Sequence, residues 1–116
     1  MVSELSEQIF VVRSLRAARI LFCHVPNGGR RDKREAYRLR ASGVVAGVPD
    51  LLIFDPPSNE FVGVALELKR EGCKPSSVTK KQREWLSKLE ARGWASVVGF
   101  GAADALKQLR DLGYDV

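Results

Sequence analysis

The sequence predicts an α/β domain, a mixed β-sheet covered by helices on both faces, with elements in the order α-β-α-β-β-α-β-α. Two apolar runs of strand length, Leu51-Leu52-Ile53-Phe54 and Phe61-Val62-Gly63-Val64-Ala65-Leu66, flank a turn at Asp55-Pro56-Pro57-Ser58-Asn59. Elsewhere apolar residues recur at helical spacing behind residues that cap helices, and Gly and Pro punctuate the boundaries. No internal repeat or linker interrupts this pattern, so residues 1–116 read as a single domain.

Ser3 is placed to cap a first helix running to about Ala18, with Leu5, Ile9, Val12 and Leu15 as its apolar stripe. Glu4, Glu7, Gln8 and Val11 fall along another face at spacings of three and four. A strand over Ile20–Val25 follows, broken by Pro26-Asn27-Gly28-Gly29, a strong turn signal. The basic segment from Arg31 to about Ala41 reads as a helix ending near Gly43. Gly47 and Pro49 then lead into the strand Leu51–Phe54, and the next strand, Phe61–Lys69, is expected to return antiparallel. Gly72–Ser77 is a loop. Thr79 and Gln82 have capping-box spacing at the head of a helix through Trp85, Leu86 and Leu89, which stops at Gly93. A strand over Trp94–Phe100 and an amphipathic helix from Ala102 to about Leu112 complete the chain.

Composition narrows the function classes. Hydrophobic residues make up 45% of 116 and charged residues 28%, as in a folded protein with a small core. No apolar run approaches a membrane span, and the charges along residues 1–20 are unlike a secretory signal. Two cysteines, Cys23 and Cys73, with the single His24 are too few for a structural zinc site within one chain. Free thiols fit a reducing compartment such as the cytoplasm. Trp85 and Trp94 are expected in the core, and His24 in a structural role.

Asp50 and the triplet Glu67-Leu68-Lys69 adjoin the two central apolar strands. A carboxylate in such a setting must be paired or bind a cation. Strand alternation turns Glu67 and Lys69 to one face, with Leu66 and Leu68 pointing away. Asp50 and Glu67 could supply oxygens to Mg²⁺ or Mn²⁺. Lys69 would orient or deprotonate an attacking water, or neutralise a phosphate. The alternative is a surface salt bridge between Glu67 and Lys69, which leaves Asp50 unexplained.

The net charge of +5 is uneven. Arg30, Arg31, Lys33, Arg34, Arg38 and Arg40 crowd one segment, and Lys69, Arg70, Lys74, Lys80, Lys81 and Arg83 another. Each cluster alone also reads as a solvated face. Beside an acidic metal site, both suit a nucleic-acid backbone.

Asp50 after Gly47-Val48-Pro49, followed by Glu67-Leu68-Lys69, resembles the motif of the PD-(D/E)xK nuclease superfamily, which includes restriction endonucleases and archaeal Holliday-junction resolvases. Within it the chain most resembles the VRR-NUC family, particularly its small stand-alone phage and prophage members. Glu4 with Gln8 looks like that family's acidic helix, and His24-Val25-Pro26-Asn27-Gly28-Gly29 like its proline-asparagine-glycine turn. Gln82-Arg83-Glu84-Trp85-Leu86 followed by Gly93 is similar to its glutamine-tryptophan helix. Five segments in order, over nearly the whole chain, are far more specific than an isolated D…ExK pattern.

The resemblance implies a restriction-endonuclease-like sheet and a Mg²⁺- or Mn²⁺-dependent endodeoxyribonuclease. It implies the Leu68 carbonyl as a further metal ligand, a catalytic glutamate at Glu4 or Glu7, and Gln82 close to the active site in addition to its cap. It further implies branched DNA such as Holliday junctions as substrate and a homodimer supplying two cuts, with no nucleotide cofactor and no membrane partner. The alternatives are a restriction-like, single-strand or flap nuclease of the same superfamily, and a catalytically silent DNA-binding module.

Overall fold

The computed structural model describes residues 2–26 and 32–116. Helix α1 (Glu4–Ala17) begins where the Ser3 hydroxyl accepts the Ser6 amide. It ends in a Schellman turn, with the Arg19 amide returning to Arg16 and the Ile20 amide to Leu15. Arg19 makes this turn at φ 57°, the one non-glycine residue with positive φ among those described. The helix buries Glu7, Val11 and Leu15. That corrects the predicted stripe: Leu5 is 66% and Ile9 44% exposed, and Val12 is only partly buried. The helix is turned by Glu7, whose carboxylate reaches two backbone amides far along the chain.

Strand β1 (Phe22–His24) is shorter than predicted, because the Ile20 amide finishes α1 and the Leu21 amide donates to Asp55. Helix α2 (Lys33–Ala41) is capped by Asp32, which accepts the Glu35 amide at 2.7 Å, and buries none of its residues. Strand β2 (Leu51–Ile53) pairs antiparallel with β1, and antiparallel with β3 (Val64–Lys69) as the hairpin reading expects. Strand β3 begins later than predicted, because the Val62 amide turns to Gly93 instead of β2. Gly63 also passes so close to Trp94 that an added Cβ would lie 2.7 Å from its ring.

A 3₁₀ turn (Pro75–Ser77) precedes α3 (Lys80–Glu90), which carries the full capping box of Thr79 and Gln82. Strand β4 (Ala95–Phe100) then pairs parallel with β3, and α4 (Ala102–Leu112) closes the fold. The sheet order is β1-β2-β3-β4.

Val64, Leu66 and Leu68 of β3 join Leu51, Ile53 and Val97 in a core roofed by Val11 and Leu15 of α1 and Leu106 and Leu109 of α4. By strand alternation Ala65, Glu67 and Lys69 turn to the other face, where α3 lies. Trp85 and Trp94 are half-buried and lie outside that core, which corrects the expectation for both. Trp94 instead meets Phe54 edge to face at 6.1 Å. No described helix is long and apolar enough to cross a membrane.

Candidate active site

Asp50 sits one residue before β2, and the pairing of Leu51 with Leu66 brings it level with Glu67. Its backbone is held from β1: the Asp50 carbonyl accepts the Val25 amide at 3.2 Å and His24 Nδ1 at 2.7 Å. A carbonyl only accepts, so Nδ1 carries the proton. His24 is therefore placed structurally. The Asp50 carboxylate crosses to β3, where Oδ2 accepts the Leu68 amide at 2.8 Å. Alternation of the backbone sends the Leu68 carbonyl to that same edge, past the end of β2.

Glu67 is 2% exposed. Oε1 accepts a hydrogen bond from Gln82 Nε2 at 3.2 Å, while Oε2 is buried without a partner among the described residues. Burial pushes this carboxyl up to about 8, assisted by the negative charge of Asp50; Lys69 opposes the rise and Glu4 adds to it. Two acids pressed together, one of them buried with an oxygen unmatched among the described residues, form an incomplete electrostatic set.

Gln82 serves two sites with one amide. Oε1 accepts the Thr79 amide at 2.8 Å and Lys69 Nζ at 3.1 Å, while Nε2 faces Glu67. Lys69 makes no ion pair with either carboxylate among the described residues; Gln82 bridges them instead.

The two glutamates of α1 separate clearly. Glu7 is buried, with Oε2 accepting the Glu71 amide at 2.9 Å and Oε1 the Ala102 amide at 3.3 Å. It thereby joins the end of β3 to the first turn of α4, whose N-cap, Gly101, has no side chain to do so. Gly101 is required there, since a Cβ would lie 3.0 Å from Glu7 Oε1 at φ 96°. Glu4, one turn earlier, is exposed, and its charge is felt by Glu67.

The donor set fits a hard divalent cation. Oε2 of Glu67 is buried without a hydrogen-bond partner among the described residues, Asp50 lies level with it across the β2–β3 register, and the Leu68 carbonyl would add a third oxygen. Among the described residues no group of three or more His, Cys, Asp or Glu converges, so the protein ligands would be two carboxylates and a carbonyl. Mg²⁺ is commonly held by one or two carboxylates with water completing its shell.

The VRR-NUC domain family model matches residues 2–102. The chain belongs to the VRR-NUC family. The matched span carries every candidate active-site residue of this VRR-NUC protein, from Glu4 to Gln82, and places it in a nuclease family. A solved structure described as a VRR_NUC domain protein is similar at a TM-score of 0.75 and 25% identity, covering 98% of this chain and 93% of that one. No curated protein matches the sequence significantly.

Of the basic residues, Lys33, Arg34 and Arg38 lie exposed on α2, as does Arg40. Lys80 reaches Glu84 at 4.0 Å, and Lys81 is exposed without an ion pair among the described residues. Arg30 and Arg31, with the Asn27-Gly28-Gly29 turn, lie outside the described residues. Sequence reasoning did not anticipate the hold of His24 on the Asp50 carbonyl or the tie made by Glu7. Both depend on partners distant in the chain and leave no local signature.

Proposed function

We propose that this VRR-NUC protein is a Mg²⁺- or Mn²⁺-dependent endonuclease that hydrolyses phosphodiester bonds in branched DNA, such as four-way junctions, as a homodimer. The observation that carries the reading is the convergence of Asp50 and Glu67 with a buried, unpartnered Glu67 oxygen. Asp50, Glu67 and the Leu68 carbonyl would hold the cation, which when bound supplies Lewis-acid activation of water and charge neutralisation at phosphate. Lys69 is steered by Gln82 toward the same site, where its ammonium holds the scissile phosphate or orients the attacking water. Glu4 contributes negative charge at the rim, and Glu7 fixes the helix that presents it. The exposed cations Lys33, Arg34 and Arg38 of α2 supply counter-charge along the DNA backbone, together with Lys80, Lys81, Arg30 and Arg31. One active site per chain makes one cut, so symmetric resolution of a junction calls for two chains.

The test is a cleavage panel with duplex, single-stranded, flap, splayed-arm and four-way junction DNA, in MnCl₂ and in EDTA. Cutting of the junction that needs Mn²⁺ and is lost in Asp50→Asn supports the reading. Preferential cutting of flap or single-stranded DNA would replace the substrate. Salt-sensitive binding without cutting of any substrate would leave a silent DNA-binding module. Light scattering that shows a stable monomer on junction DNA would refute the dimer.

A further inference from the structure

We infer that the groove between α2 and the first turn of α3 receives an unstacked nucleobase of the strand being cut, an inference that rests on the nuclease reading above. The groove encloses about 720 Å³, with Leu39 and Arg40 of α2 and Val44 and Val45 of the following loop on one side, and Lys81 and Gln82 on the other. That volume lies in the range of small-molecule sites. Val44 and Val45 are apolar yet exposed, at 37% and 47%.

The groove floor is fixed to the catalytic pair. Gly47 lies against the α3 backbone so closely that a Cβ would stand 2.8 Å from the Lys81 carbonyl carbon, and its φ of 89° excludes most side chains. Three residues later the same segment delivers Asp50. On the opposite wall, the Gln82 amide that borders the groove also touches Glu67 and Lys69. A nucleotide whose phosphate lies at the reacting centre therefore has this groove beside it, across Gln82.

Chemistry selects the occupant. Apolar walls with one guanidinium suit a planar heterocycle, because unstacked bases lie on apolar surfaces and on arginine planes. Arg40 and Lys81 form no ion pairs among the described residues, and so remain available to the phosphates on either side of that nucleotide. An apolar peptide would leave both cations unmatched. A base reaches the groove only after leaving its stack, which costs least beside a branch point or in an unpaired strand. The groove thus gives a physical reason for preferring branched over continuous duplex DNA.

Amide NMR on the full chain in EDTA tests this without cleavage, using dAMP, dTMP, 2-deoxyribose 5-phosphate and inorganic phosphate as probes. Both nucleotides should shift the amides of Val44 to Gly47 and of Lys81 in a saturable way. The sugar phosphate should bind at least about fivefold more weakly, the lower end of what one stacked base contributes. Val45→Asp, at an exposed position, should keep the fold and lose the nucleotide response. Equal binding of 2-deoxyribose 5-phosphate, or an unchanged response in Val45→Asp, overturns the inference. A chain that cuts DNA but shows no base-dependent shift loses the groove alone. One that binds dAMP there yet cuts no DNA keeps the base site and loses the nuclease reading.

Discussion

Glu67→Gln should stabilise the metal-free protein, and by an amount that grows with pH. In the unfolded chain this carboxyl titrates near 4.5, whereas in the fold burial and Asp50 push it up to about 8. Between those values the native state holds a proton that the unfolded state has released, so stability falls as pH rises. The favourable contribution is complete below the unfolded value and is gone once pH passes the folded one. Each pH unit across the window removes about 1.4 kcal/mol, for a cumulative loss on the order of 4–5 kcal/mol. Water penetration and local rearrangement reduce such penalties, so a loss of about 2 kcal/mol or more is expected. For a domain of this size that is roughly 8 °C in melting temperature.

Glutamine preserves the shape, still accepts from Gln82, and offers an amide to Asp50 in place of a second negative charge. Thermal melts at pH 5, 7 and 9 in EDTA should show wild type and variant close at pH 5 and widely separated at pH 9. Added MnCl₂ should restore the wild type at pH 9, since a ligand that binds only the folded state stabilises it, and should do little for the variant. Superimposable melts of the two proteins at every pH would refute the account of this site.

Glu7→Ala should cost about 2–3 kcal/mol, because one buried and one part-buried amide lose a charged acceptor; urea denaturation measures it, and an unchanged midpoint would assign Glu7 elsewhere. Arg19→Gly should raise stability by about 0.5–1 kcal/mol, because glycine holds the left-handed conformation at the end of α1 without the Cβ clash that arginine suffers there; a lower melting temperature would contradict this. Replacing Lys33, Arg34 and Arg38 together by Gln should weaken junction binding and reduce the slope of log K against log salt by about 2–3. Parallel salt titrations of variant and wild type would return α2 to an ordinary solvated surface.

The sequence exposed most where structure is local. The capping box of Thr79 and Gln82, the stop at Gly93, the hairpin turn after β2 and the Glu67-Leu68-Lys69 alternation each depend on neighbours a few residues away, and each is found in the fold. The orientation of α1 was not legible, because Leu5, Ile9, Val12 and Leu15 form a credible apolar stripe. What overrides it is Glu7 meeting amides 64 and 95 residues away. The same holds in the site. Residue types indicated that Asp50 and Glu67 belong together, but only the β2–β3 register puts the Leu68 amide on Asp50 and leaves one Glu67 oxygen unmatched. Strand ends moved inward wherever a flanking amide found a better acceptor, as at Ile20 and Val62.

The doubly engaged oxygen of Gln82 turns the first amide before α3 into a built-in gauge of events it does not touch. Thr79 N–H and Lys69 compete for the same lone pairs. If Lys69 leaves Gln82 for a phosphate, as the proposed function requires, the Thr79 amide keeps that acceptor to itself, and its proton resonance should move downfield while its exchange with solvent slows. Occupancy of the reacting centre would then be readable from one backbone signal at a helix end, with no label on the DNA and no turnover.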